Sequence, residues 1–372
     1  MEILISFIIP FVILLTVVVF IHEYGHYYFA KKYGVGVTDF SIGFGKELFG
    51  FNDKSGTRWK FCAIPLGGYV KFFGDRNVFS QAEQEKILKK YNKEDQEKLF
   101  VTKPLYQRSI IVAAGPFANF ILAILIFSLI YIFSGKDFTP AQINEVQENS
   151  PAFVSGLKKD DIILSINNNK VKSILDVSTY INTSTSEQIN LNILRNNNEI
   201  LLSVKPKTIK SEDGLGNKIN KKIIGIKIAP VNNEFNKEKL GPSKALFYAF
   251  KETWFVIKTS FSFFINLFKG MGDTTQIGGP IKIAKITGQV AQHGLIAFLS
   301  ITAYISISLG FINLLPIPML DGGHLMFYAF EKVLGKPLKQ KTQESFFRIG
   351  LFLLFSLMFF TTVNDLKDLG LF

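Results

Sequence analysis

Residues 3–32 read ILISFIIPFVILLTVVVFIHEYGHYYFAKK, and this stretch decides the fold. Its first nineteen residues, 3–21, carry no charge, which is close to the length that a helix needs to cross a bilayer. His22, Glu23 and His26 follow, before the first lysines at Lys31 and Lys32. His22 precedes Lys31 by about 13 Å at 1.5 Å per residue, so it is submerged rather than interfacial. Ionisable groups at that depth are costly and usually functional.

Long apolar runs predict about four membrane spans. The first run lacks a basic amino-terminal region and exceeds the apolar core of a signal peptide, so we expect a retained helix over roughly 3–30. The other predicted spans are Ile110–Phe133, Leu295–Leu320 and the shorter Ile349–Val363, where Arg348 would have to snorkel to the surface.

Residues 245–268 are apolar but carry a basic stripe. Lys244, Lys251 and Lys258 recur every seven residues and therefore share one helix face. Such a helix is more typical of the membrane interface than of a span. The alternative is a fifth span with buried lysines.

The composition narrows the function classes. The chain has 372 residues, of which 48% are hydrophobic, and a net charge of +12. So basic a chain could bind nucleic acid, but the apolar runs favour a membrane surface, and we expect no nucleic-acid partner. The single cysteine, Cys62, excludes an internal disulfide and a cysteine-based zinc cluster.

Charge also predicts the orientation. Segment 31–108 has 15 Lys/Arg against 9 Asp/Glu, and segment 322–348 has 5 against 2. With four spans both loops face one side, and the positive-inside rule places them in the cytoplasm. Both chain termini and the central segment 134–294 then lie outside.

The soluble segments show mixed strand and helix patterns. Segment 46–64 predicts a hairpin around Asn52–Gly56, and residues 80–103 predict a charged, solvated helix. From about Thr139, alternating strands surround a helical patch, and a second hairpin is expected at Asn196–Asn198. These patterns predict a small α/β domain, followed by loop or irregular strand over 207–243.

The HEYGH sequence predicts a metal site. His22 and His26 lie one turn apart on one helix face, so two imidazoles can bind one ion, and Glu23 can reach a metal-bound water. This pattern is that of zinc metalloproteases, with the glutamate as general base. The alternative, structural interfacial histidines, is disfavoured by their depth.

A third ligand is needed, and the best candidate region is NLLPIPMLDGGH, residues 313–324. Asp321 suits zinc and leaves a fourth position for water, with His324 as the second choice. Pro316 and Pro318 disrupt helix at membrane depth and could expose backbone to an extended substrate, and Asn313 could hydrogen-bond it. A spanning helix over 245–268 would put Asp321 at the opposite face, so the metal site requires four spans.

The chain resembles the site-2 protease family of intramembrane zinc metalloproteases, in particular its bacterial RseP type. The matching pieces occur in family order over nearly the whole chain. They are HEYGH (22–26), FSIGFG (40–45), IPLGGYVKFFGD (64–75), AAGPFANF (113–120), the SPA…GL…D pattern (150–161), GGPIKIAKI (278–286) and NLLPIPMLDGGH (313–324).

The resemblance implies Zn²⁺ held by His22, His26 and Asp321, with Glu23 as catalytic base. Asn313, Pro316 and Pro318 would help to hold the substrate, and the hairpin near 47–64 would be a re-entrant β element that guides it as an added strand. The fold expected is an α-helical polytopic membrane protein with a membrane-associated β-hairpin and an extracytoplasmic α/β PDZ domain.

The resemblance implies four regions. Residues 1–135 form a membrane region with the HExxH helix, the β loop and the second span, and residues 136–208 form the PDZ domain. Residues 209–294 contain a linker and the interfacial helix, and residues 295–372 form the carboxy-terminal membrane region. The implied activity is regulated intramembrane proteolysis in the bacterial inner membrane, with the active site reached from the cytoplasmic side. Substrates would be single-span proteins, such as an anti-sigma factor or signal-peptide remnants, already trimmed by an upstream site-1-type protease.

The sequence departs from the RseP pattern in two places. RseP has two tandem PDZ domains, whereas only one can be placed here. Asp160 stands where a glycine is usual before Asp161. Two other function classes stay open: a PDZ-bearing membrane scaffold with a structural metal site, and a metal transporter with ligands at membrane depth.

Overall fold

The computed structural model describes residues 4–74, 91–184, 186–212, 218–231, 234–269 and 278–368. The chain divides into two compact units, one formed by 1–126 and 279–365 and the other by 127–278 and 366–372. Part of the predicted helix over 80–103, and Asp75 of the IPLGGYVKFFGD piece, lie outside the described residues.

Four of the described helices are long and apolar enough to cross a membrane: Ile5–Lys32, Leu105–Phe133, Leu295–Leu314 and Lys341–Lys367. The chain is therefore a membrane protein with four candidate spans. The helix over 242–268 is not among them, in agreement with the four-span prediction. The third span ends at Leu314 and not at Leu320, because residues 315–320 leave the helix at the two prolines.

The first unit contains the amino-terminal helices, a β ribbon and the carboxy-terminal helices. Its elements are a π-helical turn Leu4–Ile8, α1 Ile9–Lys32, β1 Val37–Asn52, β2 Arg58–Phe72, α2 Lys93–Gln96, a 3₁₀ turn Phe100–Thr102, the larger part of α3 Leu105–Phe133, α7 Pro280–Ala291, α8 Leu295–Leu314, α9 Asp321–Leu334 and most of α10 Gln340–Asp368.

The predicted hairpin is longer than expected and doubles back on itself. Phe40 faces Val70 on one side and Trp59 on the other, while Phe51 also faces Trp59. Four segments therefore lie side by side in the order 47–52, 58–62, 37–44 and 64–72. Fully buried Phe40 stacks on Trp59 at 4.1 Å, and Tyr27 of α1 packs edge-on to both rings. These aromatic contacts fix the ribbon against α1.

The ribbon turn is held by one carboxylate. Asp53 accepts hydrogen bonds from Ser55, Thr57, Trp59 and the Tyr27 hydroxyl of α1. Burial raises the pKa of the Asp53 carboxyl, but these donors outweigh it and hold the pKa well below its usual range. The Asp53 carboxylate therefore stays ionised over the whole physiological pH range, and its hydrogen bond from Tyr27 links the turn to α1.

Helices α7 and α10 are joined by a buried cap. Asp365, which is 2% exposed, accepts hydrogen bonds from the backbone N–H groups of Gly279 (2.9 Å) and Lys282 (3.0 Å) at the start of α7. A carboxylate there satisfies free donors of the helix and complements its dipole. At the other end of α7, Gly288 packs against the backbone of Ser6 and Phe7, which precede α1.

The second unit is built around an antiparallel sheet in the order β11-β4-β5-β7-β8, with β6 paired to β5. Its elements are β3 Lys136–Asp137, β4 Ala141–Val146, α4 Pro151–Val154, β5 Ile162–Ile166, β6 Asn169–Lys170, α5 Ile174–Thr183, β7 Ile189–Arg195, β8 Asn198–Val204, β9 Lys207–Glu212, β10 Lys218–Ile223, β11 Ile226–Pro230, β12 Lys237–Glu238 and α6 Pro242–Phe268.

Strand alternation explains this sheet. Ile189, Leu191 and Ile193 are fully buried on one face of β7, and Val177 and Ile181 of α5 pack on the same core. The predicted hairpin at Asn196–Asn198 joins β7 to β8, with positive φ at Asn196 and Asn197. Strand β11 belongs to the same sheet, so the sheet continues past the predicted domain end at residue 208, and most of the described residues between 207 and 243 are strand.

Candidate metal centre

Two histidines on α1 face one another within the first unit. His22 and His26 are 7% and 9% exposed, and their Nε2 atoms are 3.3 Å apart. The His26 Nδ1 atom lies 2.9 Å from the carbonyl oxygen of Ile111 on α3. Since a carbonyl only accepts, Nδ1 carries the hydrogen, and the lone pair of Nε2 is directed at His22.

Asp321, the first residue of α9, completes a triangle. Its Oδ2 atom is 3.2 Å from His22 Nε2 and 3.5 Å from His26 Nε2. Tetrahedral zinc with bonds of about 2.0–2.1 Å separates its ligand atoms by about 3.3–3.4 Å, which is close to all three distances. Oδ2 is buried without a well-aligned hydrogen bond to any described residue. A buried carboxylate oxygen between two imidazole nitrogens fits a divalent cation.

The unwound segment 315–320 places Asp321 at this point. Met319 has a φ of +86°, a strained angle for a residue with a side chain, and the chain then enters α9 at Asp321. Gly322 and Gly323 lie directly against the carbonyls of Leu315 and Ile317, where any Cβ would overlap them. The two glycines after Asp321 therefore let the unwound backbone lie across the start of α9.

Glu23 stands between the two histidines in sequence and faces the ribbon. Its half-buried carboxylate lies near the backbone of Val70 and interacts electrostatically with His22, His26 and Asp321. A Cβ on Gly68 would come within 3.1 Å of Glu23 Cγ. The edge segment 64–72 therefore runs directly beside this carboxylate.

Comparison with known proteins agrees with this geometry. The model of peptidase family M50 matches residues 10–357. The chain belongs to peptidase family M50. This is the site-2 protease family, and its members are zinc metalloproteases.

Full-length relatives support the same conclusion. A predicted zinc metalloprotease of Agrobacterium fabrum is 41% identical over 98% of this chain and 96% of its own. A predicted zinc metalloprotease of Rickettsia conorii is 37% identical over 97% of this chain and 99% of its own. The metalloprotease MmpA of Caulobacter vibrioides is 35% identical over 96% of this chain and 94% of its own. This M50 protein is thus a zinc metalloprotease.

A solved PDZ domain, from the SdrC-like protein of Listeria monocytogenes, is 22% identical and covers 24% of this chain and 88% of its own, with a TM-score of 0.20. Likeness at this level carries no argument for the fold. The PDZ assignment of the second unit stays a prediction.

The structure brings together only some of the predicted site residues of this M50 chain. His22, His26 and Asp321 form the one group among the described residues with metal-ligand geometry. His324, the second choice for a third ligand, instead packs its ring 5.4 Å from Phe347. Asn313 lies half-buried in the last turn of α8, with Pro316 exposed and Pro318 buried in the unwound segment. Their substrate roles stay predictions.

Two further residues at the centre were assigned no role from the sequence. A Cβ on Gly115 of α3 would overlap His26 Nε2 and lie 2.6 Å from Cε1, so only glycine leaves room for this imidazole. Fully buried Asn119, also on α3, has its side chain 3.3 Å from His22 Nδ1. Both stand in AAGPFANF, which was noted as a family match without a chemical role, because the contact with α1 is tertiary.

Proposed function

We propose that this M50 protein is an intramembrane zinc endopeptidase that cuts single-span membrane proteins. His22, His26 and Asp321 would hold Zn²⁺, and Glu23 would be the general base. The observation that carries the proposal is the triangle of ligand atoms, 3.2–3.5 Å on each side, with two of its three corners on a helix that can span a bilayer.

The chemistry follows from the four side chains. When bound, zinc supplies Lewis acidity that makes water a nucleophile near neutral pH and polarises the scissile carbonyl. Glu23 takes a proton from the attacking water and passes it to the leaving amide nitrogen. The nearby Val70 backbone would orient the Glu23 carboxylate between the ribbon and the zinc ligands.

The substrate would lie extended between the ribbon and the unwound segment. A helical peptide bond is shielded, whereas an extended strand can pair with the edge 64–72 beside Glu23. Gly67 and Gly68 let this edge pack closely, since a Cβ on Gly67 would meet Phe44 and one on Gly68 would meet Glu23. Asn313 and the backbone near Pro316 and Pro318 would hold the opposite side of the substrate.

Charge supports a location in the bacterial inner membrane. The basic segments 31–108 and 322–348 would be cytoplasmic, and the second unit, as a PDZ domain, would be periplasmic together with both termini. Substrates such as an anti-sigma factor or signal-peptide remnants would enter after an upstream site-1-type protease has removed their outer domain. Helix α6 would lie in the interface, with Lys244, Lys251 and Lys258 toward the headgroups.

Proteoliposomes test the proposal. Purified protein should cleave a co-reconstituted single-span peptide that carries a fluorophore at each end, a zinc chelator should stop the reaction, and added Zn²⁺ should restore it. Asp321→Ala and His22→Ala should lose both bound zinc and cleavage. His293→Ala is the matched control, because this exposed histidine bonds the carbonyl of Gln289 on its own helix turn, away from the three proposed ligands, and it should stay active.

The other function classes give different results in the same vesicles. Zinc flux without proteolysis would favour a transporter. Partner binding by protein that contains no zinc would favour a scaffold. Full cleavage by Asp321→Ala would contradict the proposed centre.

A further inference from the structure

We propose that Asn119 is a positioning residue whose side-chain carbonyl accepts the hydrogen bond of His22 Nδ1–H. This contact would fix the His22 tautomer that leaves Nε2 free for the metal. The inference deepens the proposed function and rests on it.

The tautomer requirement comes from the ligand geometry. The His22 atom that faces Asp321 Oδ2 and His26 is Nε2, so that nitrogen must present a lone pair to a cation. A neutral imidazole then carries its hydrogen on Nδ1. Among the described residues, the group that Nδ1 meets at hydrogen-bond distance is the Asn119 amide, 3.3 Å away. The hydrogen needs an acceptor, because the ring is buried.

The amide has that acceptor to offer. Asn119 is 0% exposed, and its Oδ1 has no hydrogen-bond partner among the described residues when Nδ2 faces the ring. Nδ2 would donate to Nδ1, which would leave the hydrogen on Nε2 and block the metal. A rotation of the amide by 180° keeps its shape, turns Oδ1 toward Nδ1–H and gives the orphaned oxygen a donor.

The neighbouring helix holds Asn119 in place. The Ser306 hydroxyl of α8 donates to the Asn119 backbone carbonyl at 2.9 Å. Gly310 of α8 lets the two helices approach, because a Cβ there would lie 2.8 Å from the Pro116 carbonyl oxygen and 3.2 Å from Asn119 Cβ. A side chain packed from two helices loses little freedom when it orients a ligand.

Helix α3 would therefore orient both histidines. The Ile111 carbonyl accepts from His26 Nδ1–H, and eight residues later Asn119 would accept from His22 Nδ1–H. Backbone carbonyls point toward the carboxy end of a helix and side chains tilt toward its amino end. The two acceptors thus converge on histidines that are only one turn apart on α1.

The test compares Asn119→Leu, Asn119→Asp and the matched control Ser306→Ala in the full chain. Leucine has a similar shape and no acceptor, whereas aspartate keeps one. Ser306→Ala removes the bond to the Asn119 backbone but leaves its amide. Zinc affinity is measured by competition with a chromophoric chelator, and the Co²⁺-loaded protein is examined by its visible absorption spectrum.

We expect Asn119→Leu to bind zinc about 10–100-fold more weakly, as is typical when the acceptor behind a metal-bound histidine is lost. It should also change the Co²⁺ spectrum. Asn119→Asp should stay within a few-fold of the unmodified protein, and Ser306→Ala should change affinity less than Asn119→Leu. If the leucine variant does not fold, Asn119→Ala replaces it with the same expectation.

Unchanged zinc affinity in the leucine or alanine variant would overturn the role of Asn119. An aspartate variant that binds zinc as weakly as the leucine variant would overturn it too. Restoring an acceptor at position 119 would then fail to restore zinc affinity, which is the result expected if Asn119 only fills space. The His22→Ala variant, measured in the same way, distinguishes a failure of the Asn119 role from a failure of the proposed metal centre. If it binds zinc as well as the unmodified protein, the proposed metal centre itself is wrong.

Discussion

The role proposed for Glu23 could be predicted from the sequence, but its neighbours in the fold could not. Its type and its spacing from His22 and His26 predicted a general base from the sequence, because ionisable groups in an apolar helix need a function. The Val70 and Gly68 neighbours were not predictable, since the ribbon meets α1 only in the folded chain. Local pattern gave the ligand types, and tertiary packing supplied the residues that orient them.

Glu23→Gln separates metal binding from catalysis. The amide keeps the shape but accepts no proton, so cleavage should fall by about 100-fold or more while bound zinc is retained. Cleavage of the reporter peptide and zinc per chain, determined on the same sample, check this. A Glu23→Gln protein with full activity would exclude Glu23 as the base.

Gly115→Ala should damage the centre without removing a ligand. The new Cβ overlaps His26 Nε2, so we expect the imidazole to move, zinc affinity to fall at least 10-fold, and the fold to lose about 1–3 kcal/mol from overpacking. Gly241→Ala is the control, because a Cβ there meets nothing within 4 Å. Equal zinc affinity in both variants would show that His26 has room to spare.

At the scale of elements, prolines and turn residues predicted that a helix is interrupted or a hairpin turns, but not the residue at which each element ends. Pro316 and Pro318 predicted an interruption, yet the third span was expected to run to Leu320, whereas α8 stops at Leu314. The helix stops there because Leu315, the residue before Pro316, adopts an extended conformation, as residues before a proline do, and the chain stays out of the helix through Leu320. The doubling of the ribbon was not foreseen, because alternation predicts strands but not their partners.

Asp160 connects a sequence departure with a backbone angle. The resemblance to the RseP type predicts a glycine here, and Asp160 adopts a φ of +69° in the turn just before β5. Asp160→Gly should stabilise this turn by about 0.5–1 kcal/mol, because the left-handed cost of about 1–2 kcal/mol exceeds the extra entropy that glycine loses. Hydrogen exchange of 141–166 in the full chain should slow by about 2–5-fold.

The control for that change is Asp160→Ala, which keeps a Cβ at the strained angle and loses the side-chain polar group. We expect it to exchange faster than the unmodified protein. Slower exchange in the alanine variant would show that φ does not limit the stability of this turn.

At the scale of the whole molecule, hydropathy predicted the four candidate spans, because bilayer thickness sets the helix length. Composition was a poorer guide to the secondary structure of the second unit. Segment 207–243 is rich in lysine and asparagine, and its described residues form mainly strands. Strand β11 completes a sheet whose other members end at Val204. Tertiary pairing overrides weak strand preference there.

Cysteine labelling tests the orientation of the whole chain. With buried Cys62 changed to serine, Lys93→Cys, Lys336→Cys and Lys159→Cys are each exposed single sites. A membrane-impermeant maleimide added to intact spheroplasts should label only position 159. Positions 93 and 336 should react only after the membrane is opened. Labelling of 93 or 336 from outside would contradict the orientation.

Zinc K-edge X-ray absorption of the protein in a bilayer tests the central claim most directly. We expect two imidazole nitrogens and oxygen ligands at about 2.0–2.1 Å, with the signal of bound zinc lost in His22→Ala and Asp321→Ala and with His293→Ala unchanged. A spectrum that shows fewer than two imidazoles, or that is the same in His22→Ala and Asp321→Ala as in the unmodified protein, would contradict a zinc centre formed by His22, His26 and Asp321.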